Sequence, residues 1–321
     1  DCSLEKKLGS EGYELNVGKE KIQIKAAREA GLFYGFVTIK QLLPAEIHST
    51  TRIKDIKWSM PCVKITDYPR FKWRGMHLDV SRHFMPKQFI KKYIDLIAMH
   101  KMNRFHWHLT DNQGWRIEIK QYPKLTDVGA WRKETLASHH SKERSDWQYD
   151  GQLYGGYYTQ EDAKEITAYA AERYVTVVPE IEMPGHCQAA IAAYPELGTT
   201  GKQLDVLKHW LQSDDAFNVE QSTIAFLQNV LSEIIEVFPS EYIHIGGDEV
   251  PKQYWQNSPR VQARMKELGL ENENQLQSWF IKQMDDFLTA KGRRLLGWDE
   301  ILQAGLAMGA TVISWRGDEG G

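Results

Sequence analysis

The sequence lacks three features that would assign its class at once: a cysteine framework, a strong positive charge and a long apolar run. Cys2, Cys62 and Cys187 are its only cysteines and show no Cys-x-x-Cys spacing, which excludes a cysteine zinc cluster and a disulfide scaffold. Lys and Arg number 40 against 43 Asp and Glu, so no basic excess favours nucleic acid or an anionic membrane. No apolar run reaches the roughly 20 residues that a membrane span needs.

Tryptophan, by contrast, is abundant, with 11 residues in a chain of 321. Buried packing is the commoner use of aromatic rings, but their flat faces also serve as binding surfaces. Apolar residues make up 42% of the sequence, which supports either one large core or two domains of ordinary size. The composition therefore predicts a globular protein in which some aromatic side chains could contact a ligand.

The first part of the chain predicts a small α+β domain over residues 1–69. Residues 11–27 alternate apolar and polar side chains on either side of a glycine-lysine pair, a pattern typical of a β-hairpin. A helix should follow over residues 28–43 and end before Pro44, because proline cannot continue a helix. Residues 45–69 combine a polar loop with strand-like segments.

From residue 70 onward, short β-rich runs are mostly followed by helical patterns, which is typical of βα units and a parallel sheet. The chain has no dinucleotide-binding fingerprint, so it favours a (β/α)8 barrel of the TIM type over a doubly wound sheet. We assign residues 70–321 to this barrel, with the first six βα units. The β-rich runs are residues 75–80, 104–110, 175–181, 242–245, 294–297 and 311–314. The helical patterns are residues 87–100, 160–173, 219–237 and 274–291.

The predicted barrel is incomplete at its carboxyl end. Residues 317–321 follow the sixth run directly and look like an open loop, and two of the eight expected strands have no counterpart. Barrels of this type use about 250 residues or more, which implies on the order of a hundred further residues. We expect the 321-residue chain to be a fragment with little or no activity alone.

Charged, amide and aromatic side chains follow the six runs, at the ends where barrel enzymes place their active sites. Aromatic faces stack on sugar rings and charged groups bind hydroxyls, so this mixture favours a carbohydrate pocket over a phosphate pocket. In chain order these residues are Ser81, Arg82, His83, Asp111, Asn112, Glu182, His186, Asp248, Glu249, Trp298, Asp299, Glu300, Trp315 and Arg316.

Residues 244–250 read HIGGDEV and place two acids side by side. Neighbouring side chains of an extended segment point to opposite faces, so Asp248 and Glu249 are expected to have different roles. A tight turn alone would explain the glycines but not the acids that follow them. We predict that Gly246 and Gly247 let a sugar approach the backbone closely.

A metal-dependent barrel hydrolase is one alternative. His106 and His108 lie on one face of a predicted strand, and together with His186, His244 and Asp248 they form a set of metal-type ligands. Histidines spaced in this way on a barrel strand are more often packed and hydrogen-bonded. The chain also has no lysine at a strand end to bridge two metals.

A barrel that binds sugar without catalysis is a second alternative, although a lectin has no reason to keep two adjacent acids. Individual residues have simpler explanations as well. Arg82 could form a surface ion pair. Asp299 and Glu300 could begin a helix, where acids favour the dipole, and we prefer this explanation for Glu300. Trp107 and Trp115 are predicted to pack in the core or in a loop.

Five segments are distinctive when taken together: WRGMHLDVSRHF (73–84), HWHLTDNQGWR (106–116), PEIEMPGH (179–186), HIGGDE (244–249) and GWDEI (297–301). In order and spacing they resemble motifs of the β-N-acetylhexosaminidases of glycoside hydrolase family 20. One such motif alone would be weak, whereas five in sequence are highly specific. The resemblance covers roughly Trp73 to Trp315, and residues 1–69 resemble part of the non-catalytic domain that commonly precedes this barrel.

The resemblance implies a role for each acid of the motif. Glu249 matches the general acid/base, and Asp248 matches the carboxylate that holds the substrate's 2-acetamido group, whose carbonyl oxygen is the nucleophile in this family. We expect a raised pKa for Glu249, because it must start protonated, and an ionised Asp248. Asp111 and His186 match a pair that orients and tunes the acid.

The remaining matches imply a pocket for one sugar. Arg82 matches the arginine that binds the 3- and 4-hydroxyls of the non-reducing sugar, and Trp298 and Trp315 match walls around the acetamide methyl. Family members add a tyrosine and an aspartate after strand seven, and a tryptophan and a glutamate after strand eight, which have no counterpart here.

The activity that the resemblance implies is that of an exo-acting, retaining β-N-acetylhexosaminidase. Such an enzyme releases terminal N-acetylglucosamine or N-acetylgalactosamine from glycans by substrate-assisted catalysis through an oxazolinium intermediate. The resemblance implies no cofactor and no metal. The places in which substrates of this kind occur favour an extracytoplasmic location for the protein.

Overall fold

The structure is a computed structural model that describes residues 2–139, 143–211, 213–303, 305 and 309–317, except for the side chains of Cys2 and Ser3. The longer strands are β1 (Tyr13–Val17), β2 (Ile22–Ala26), β3 (Val63–Asp67), β4 (Gly75–Asp79), β5 (Arg104–His108), β6 (Thr176–Glu180), β7 (Tyr242–His244), β8 (Arg294–Trp298) and β9 (Thr311–Ile313). The α-helices are α1 (Cys2–Leu8), α2 (Glu29–Leu42), α3 (Lys87–Met99), α4 (Lys124–Asp127), α5 (Gln160–Ala171), α6 (Gln188–Ala193), α7 (Gln221–Val237), α8 (Gln253–Gln256), α9 (Pro259–Glu267) and α10 (Glu273–Ala290). Short 3-10 helices are Ala45–His48, Arg144–Asp146, Pro195–Leu197 and Asp299–Leu302. Two-residue strands form small ribbons, Thr110–Asp111 with Gly114–Trp115 and Trp131–Arg132 with Tyr154–Gly155.

Two compact units make up the chain, and each consists of several segments. The first comprises Asp1–Met76, Lys91–Arg104 and Tyr169–Thr176. The second comprises His77–Ile90, Phe105–Ala168 and Val177–Gly321. The units interleave along the chain, whereas the sequence predicted one boundary between residues 69 and 70, which stays a prediction.

In the first unit, β1 is the central strand of an antiparallel sheet of order β2-β1-β3. Tyr13, Leu15 and Val17 alternate along β1 and are buried, because side chains of a strand point to one face at every second position. Tyr34 of α2 joins them in this core. The predicted hairpin is confirmed, with Val17 paired to Ile22 across its turn, and the predicted helix is present as α2.

The largest sheet has six strands in the order β9-β8-β7-β6-β5-β4. Its pairs are parallel, as where Glu180 lies opposite His244 and Leu296 lies opposite Thr311. Strands that follow one another in the chain are neighbours in the sheet, and helices lie between most of them, which is the arrangement of a (β/α)8 barrel. The predicted fold class is therefore confirmed for these six strands. The open loop predicted at the carboxyl end falls largely on residues 318–321, which lie outside the described residues.

Alternation along β5 explains how this sheet positions polar groups. Phe105 and Trp107 point to one face, where Trp107 packs against Tyr158, and both rings are fully buried. His106 and His108 point to the other face and are also buried. Strands of parallel sheets are commonly covered on both faces, so the polar face of β5 is enclosed along with its apolar face.

Strand and helix ends agree with the sequence to within two residues for all six barrel strands and the four helices predicted between them. Five helices were not predicted from the sequence: α1, α4, α6, α8 and α9. A signal for α9 was present, because Ser258 caps its first turn by accepting from the Val261 amide and Pro259 occupies the first helical position. None of the helices in the described ranges combines the length and apolar composition needed to cross a lipid bilayer.

Candidate active site

Five predicted site residues lie close together at the carboxyl ends of β4 to β7. Arg82 contacts Asp111, Asp111 contacts His186, and His186 contacts both Asp248 and Glu249. These residues come from four different β-to-α connections, so the strand order of the sheet brings them to one edge. The structure thus assembles the predicted constellation, while the roles of its members stay predictions.

Arg82 is held on several sides at once. Its Nη1 donates to Asp79 at 2.8 Å, its Nη2 lies 2.7 Å from Asp111, and its Nε donates to Gln113 at 3.0 Å. Gln113 in turn donates to the backbone oxygen of His209 at 2.8 Å. The Arg82 side chain is 23% exposed, so it is not the solvent-exposed ion pair considered from the sequence. Planar guanidinium contacts of this kind fix both position and orientation.

Asp111 is the buried centre of the network. It accepts from Nε2 of His108 and from Nδ1 of His186, each at 3.1 Å, and from the backbone N–H of Asn112 at 2.6 Å. Burial favours the neutral acid, but the positive charges of His186 and Arg82 outweigh it and hold the pKa of Asp111 well below its ordinary value. Asp111 is therefore a permanent anion in the working pH range.

His186 connects this anion to both acids of the HIGGDEV motif. Its Nε2 lies 3.5 Å from a carboxylate oxygen of Asp248 and 3.4 Å from one of Glu249. Burial would lower the pKa of His186, but Asp111 together with Asp248 and Glu249 raises it well above the ordinary value. The imidazole is then a cation with a carboxylate on each side.

The backbone of both His186 and Glu249 adopts an unusual conformation. His186 and Glu249 have φ values of +47° and +45°, in the left-handed region that residues other than glycine rarely occupy. The N–H of Glu249 donates to a carboxylate oxygen of Glu300 at 3.0 Å. Glu300 lies in the first turn of the 3-10 helix Asp299–Leu302, as the sequence predicted, and its carboxylate also accepts from the backbone of Glu249.

The expected raised pKa of Glu249 is wrong for the free chain. The His186 imidazole, 3.4 Å from its carboxylate, lowers the pKa of Glu249, and the burial that would raise it is incomplete because the side chain is 43% exposed. The sequence could not reveal this, because it shows neither the exposure of Glu249 nor the charge of the imidazole beside it.

The glycines of the motif lie against side chains of the protein itself. A methyl group on Gly246 would lie 1.7 Å from a carboxylate oxygen of Glu182, and one on Gly247 would lie 2.4 Å from the side chain of Ile301. Both glycines have positive φ, at +69° and +91°. They make room for neighbouring protein side chains, and the predicted approach of a sugar to this backbone stays a prediction.

Glu182 appeared among the predicted rim residues without a role. It is fully enclosed, and its Oε2 has no hydrogen-bond partner in the described part of the chain. Burial raises its pKa well above the ordinary value, and the negative charges of Asp248 and Glu180 raise it further. Both effects favour the neutral form of the Glu182 carboxyl group.

On the inner face of the sheet, one buried carboxylate is surrounded by four imidazoles. Oε2 of Glu180 lies 2.8 Å from His106, 3.1 Å from His108 and 3.7 Å from His77, and Oε1 lies 2.9 Å from His244. Burial favours its neutral form, but His108, His244 and His106 outweigh this and hold the pKa of Glu180 well below its ordinary value.

The metal-type ligands considered from the sequence do not form one site in the described residues. His106, His108 and His244 surround Glu180, whereas His186 contacts Asp248. Smaller groups have ligand atoms within 4.8 Å of one another and could each hold a cation. They are His77, His106 and Glu180; His108, Glu180 and Glu182; and His186, Asp248 and Glu249.

The two tryptophans predicted as pocket walls differ in their surroundings. Trp298 packs against three imidazoles of the inner cluster, with ring centroids 4.7 Å from His244 and 5.5 Å from His106. Trp315 is 49% exposed, and no ring contact joins it to the other predicted site residues that the structure describes. Trp107 and Trp115 are buried, which confirms their prediction as packing residues.

Four residues that contact the predicted site residues or the histidine cluster were not predicted: His77, Asp79, Gln113 and Glu180. The prediction considered the residues just after each run, whereas Asp79 and Glu180 are the last residues of β4 and β6. Inward-facing polar residues at the end of a buried strand were the available signal, because an apolar face would otherwise be expected there. Gln113 is recognisable only through its contact with Arg82.

Comparison with known proteins agrees with this geometry. Residues 71–321 match the catalytic domain of glycosyl hydrolase family 20, and residues 2–68 match domain 2 of the same family. A β-hexosaminidase of Porphyromonas gingivalis is 46% identical over 98% of the chain. The crystal structure of β-N-acetylhexosaminidase from Bacteroides fragilis aligns over 96% of the chain with 39% identity and a TM-score of 0.80. An exo β-N-acetylglucosaminidase from Vibrio harveyi, solved in complex with N-acetylglucosamine, aligns over 97% with 36% identity and a TM-score of 0.81.

The aligned region makes up a smaller share of each relative than of this chain. The chain spans 39% of the Porphyromonas protein, 57% of the Bacteroides chain and 47% of the Vibrio chain. It therefore corresponds to about half the length of the proteins it matches. Because the catalytic-domain match extends from residue 71 and includes every residue of the assembled site, this chain belongs to glycosyl hydrolase family 20.

Proposed function

We propose that the protein carrying this chain is an exo-acting, retaining β-N-acetylhexosaminidase that removes terminal N-acetylglucosamine or N-acetylgalactosamine from glycans. Membership of the family supports hydrolysis of a glycosidic bond, and the names of the similar proteins support an N-acetylhexosamine as the sugar released. The extracytoplasmic location favoured by such substrates stays a prediction.

One observation carries the substrate-assisted part of the proposal. Asp248 uses Oδ2 to contact His186, while its Oδ1 is buried and accepts no hydrogen bond from the described residues. A buried carboxylate oxygen needs a donor, and the N–H of a 2-acetamido group is one. Glu249 lies on the same imidazole, with its oxygen within 4.8 Å of that of Asp248. Asp248 is thus suited to bind the acetamide, and Glu249 is suited to protonate the glycosidic oxygen.

The proposed reaction divides the work between these two acids. Glu249 donates a proton to the glycosidic oxygen as the acetamide carbonyl oxygen attacks the anomeric carbon and the aglycone leaves. Asp248 accepts from the acetamide N–H and stabilises the positive charge of the oxazolinium. Water then attacks the anomeric carbon, Glu249 takes its proton, and the ring opens to give the sugar with retained configuration.

Glu249 must gain a proton before this cycle begins. Its side chain is 43% exposed in the free chain, so a bound sugar would cover it and remove water from around it. Desolvation raises the pKa of a carboxyl group, which opposes the lowering by His186. We expect substrate binding to shift Glu249 toward its protonated form.

Substrate assistance can be tested with a series of chromogenic β-N-acetylglucosaminides whose acetamide carries zero, one, two or three fluorine atoms. Fluorine withdraws electrons from the carbonyl oxygen, so kcat/KM should fall steeply with each added atom if this oxygen is the nucleophile. A rate independent of fluorination would contradict substrate assistance. Failure to hydrolyse the unsubstituted compound and its galacto counterpart would contradict the proposed activity itself. A chelator should leave the rates unchanged.

Asp248→Asn tests the partner of the acetamide. An amide cannot stabilise a developing positive charge, so kcat for acetamido substrates should fall about 10²- to 10³-fold. Asp286→Asn is the matched control, because Asp286 pairs with Lys282 on the exposed face of α10. Normal hydrolysis by Asp248→Asn would contradict the role proposed for this carboxylate.

A further inference from the structure

The peptide group that joins Asp248 to Glu249 is held from two sides. Its N–H, that of Glu249, donates to Oε2 of Glu300 at 3.0 Å. Its carbonyl oxygen, that of Asp248, lies against Gly185, where a methyl group would be only 2.8 Å from it. Because a peptide group is planar and includes both flanking Cα atoms, its orientation determines where the side chains of both acids begin.

The backbone around this peptide needs support from the rest of the protein. Glu249 has a φ of +45°, which is unfavourable for a residue with a side chain and persists only where its surroundings hold it. Gly246 and Gly247, shortly before it, are the residues with the greatest conformational freedom. The geometry of this segment therefore has to come from contacts with other elements.

Two side chains from later elements supply such contacts. Nε2 of Gln277 on α10 donates to the carbonyl oxygen of Gly247 at 2.7 Å. Glu300, in the 3-10 helix that follows β8, holds the N–H two residues further along. Among the hydrogen bonds of the described residues, that of Glu300 is the only one that reaches the backbone of either acid.

Strand order explains how Glu300 reaches this peptide. β7 and β8 are parallel neighbours, so the segments that follow them lie side by side. A second contact joins the same two segments, because Lys252 donates to Gln303 at 2.9 Å. The sequence suggested only a helix start for Glu300, and a helix start does not require a hydrogen bond to a neighbouring connection.

We propose that Glu300 is a positioning residue for the two acids: by accepting from the peptide N–H between them, it keeps Asp248 directed at the acetamide and Glu249 at the glycosidic oxygen. This inference rests on the proposed function, and Glu300 does not have to touch the substrate. Water can also accept from this N–H, but it has no fixed position there and a bound sugar would displace it.

Three substitutions separate the hydrogen bond from the charge of Glu300. Glu300→Gln keeps an acceptor oxygen at the same reach but has no charge. Glu300→Asp keeps the charge on a side chain that is one methylene shorter, and Glu300→Ala removes both. Gln303→Ala is the matched control, because it removes the Lys252 contact of the same helical turn and leaves the peptide between the acids untouched.

Amide hydrogen exchange tests the contact without any turnover. The N–H of Glu249 should be protected in the unaltered protein, in Glu300→Gln and in Gln303→Ala. In Glu300→Asp and Glu300→Ala its exchange should become about tenfold faster or more, as for the loss of a hydrogen bond to a charged group. Equal exchange rates in all of these proteins would overturn the proposal, because the carboxylate would then not hold this peptide.

Aryl N-acetylglucosaminides with leaving groups of different acidity test the consequence for catalysis. A poor leaving group depends on proton donation by the acid, whereas a good one needs little. For the poor leaving group, Glu300→Asp and Glu300→Ala should lower kcat by about 10- to 100-fold and change KM by less than about threefold. The loss should be smaller for the good leaving group. Glu300→Gln should stay within about fivefold of the unaltered protein, and Gln303→Ala should match it.

A loss of equal size in Gln303→Ala would overturn the proposal, since packing of the helical turn would then be the cause. So would a Glu300→Gln variant as slow as Glu300→Ala, because the charge and not the hydrogen bond would then matter. Thermal unfolding and near-ultraviolet circular dichroism confirm that each variant is folded. Failure of the proposed function gives a different result, namely no turnover of any aryl glycoside by the unaltered protein, and amide exchange still tests the contact in that case.

Discussion

Nε2 of His186 lies 3.4 Å from a carboxylate oxygen of Glu249, while Nδ1 of the same ring donates to buried Asp111. The carboxylate of Glu249 therefore contacts a cationic imidazole whose other nitrogen is held by Asp111. This contact favours the ionised form of Glu249 in the free chain and orients its carboxylate. A bound sugar therefore has to raise the pKa of Glu249 but does not have to reorient its side chain.

Glu249→Gln should nearly abolish turnover in the protein that carries this chain. The amide keeps the shape of the side chain but can neither donate nor accept the catalytic proton, which lowers kcat by about 10²- to 10⁴-fold. Hydrolysis of a chromogenic substrate measures this loss, and calorimetry with N-acetylglucosamine should find binding retained. Glu267→Gln, on the exposed face of α9, is the control. Retained turnover in Glu249→Gln would contradict its assignment as the acid.

Arg82→Lys should weaken substrate capture. Lysine cannot reproduce the fork that contacts Asp79, Asp111 and Gln113 together, so the charge that would meet the sugar hydroxyls loses its fixed position. We expect kcat/KM to fall about 10- to 100-fold, as for the loss of a hydrogen bond to a charged group worth about 1.5–3 kcal/mol. Arg264→Lys on α9 should have no effect, and an equal loss in both variants would argue against a specific role.

The charge of His108 predicts a pH-dependent stability. Its pKa is about 9 in the folded chain, above the ordinary value of 6.5, so the folded form binds the proton more tightly. This stabilisation is fully present below pH 6.5 and is lost as the pH rises toward 9. It amounts to roughly 3 kcal/mol, at 1.36 kcal/mol per pKa unit. Denaturant unfolding at pH 6, 7.5 and 9 should show a steeper decline for the unaltered protein than for His108→Gln; parallel declines would contradict the shift.

Gly246→Ala should destabilise the protein more than Gly269→Ala. Both glycines have φ of +69°, so alanine costs about 1–2 kcal/mol of backbone strain at either position. At Gly269 a methyl group meets open space, whereas at Gly246 it meets Glu182, which adds about 1–3 kcal/mol for overpacking. Glu182→Asp, one methylene shorter, should partly restore Gly246→Ala.

Denaturant midpoints measure these differences between the glycine variants. If Gly246→Ala and Gly269→Ala are equally unstable, or if Glu182→Asp gives no restoration, the contact does not limit this position. The double variant is needed because residues in contact do not contribute additively to stability.

Much of the fold followed from patterns that the sequence displays directly. Strands such as β4 and β8 are marked by local composition, and parallel order followed from the alternation of strands and helices. The site followed from its place at the strand ends. Contacts between residues far apart in the sequence could not be predicted. The alternation of side chains shows that Glu180 faces inward, but it does not show that imidazoles from other strands contact it there.

The pKa of Glu249 was predicted wrongly, and the packing contact of Gly246 was not predicted, for a related reason. Both depend on what lies a few ångströms away in space: His186 for the acid and Glu182 for the glycine. A motif identifies which residues matter, whereas its electrostatics depend on burial and on neighbours that are distant in sequence.

The cluster around Glu180 also bears on how the strands find their alignment. Glu180 of β6 pairs directly with His244, and it contacts His77 and two histidines of β5, so one carboxylate meets side chains of three other strands, β4, β5 and β7. A slip of one residue turns every side chain of a strand to the opposite face. Apolar groups would then surround a buried charge, and imidazoles would enter the apolar layer. The residues brought inward by such slips include Leu78, Trp107, Ile181 and Ile243. The buried charge of Glu180 thus disfavours strand pairings that are shifted by one residue, whether or not a substrate is present.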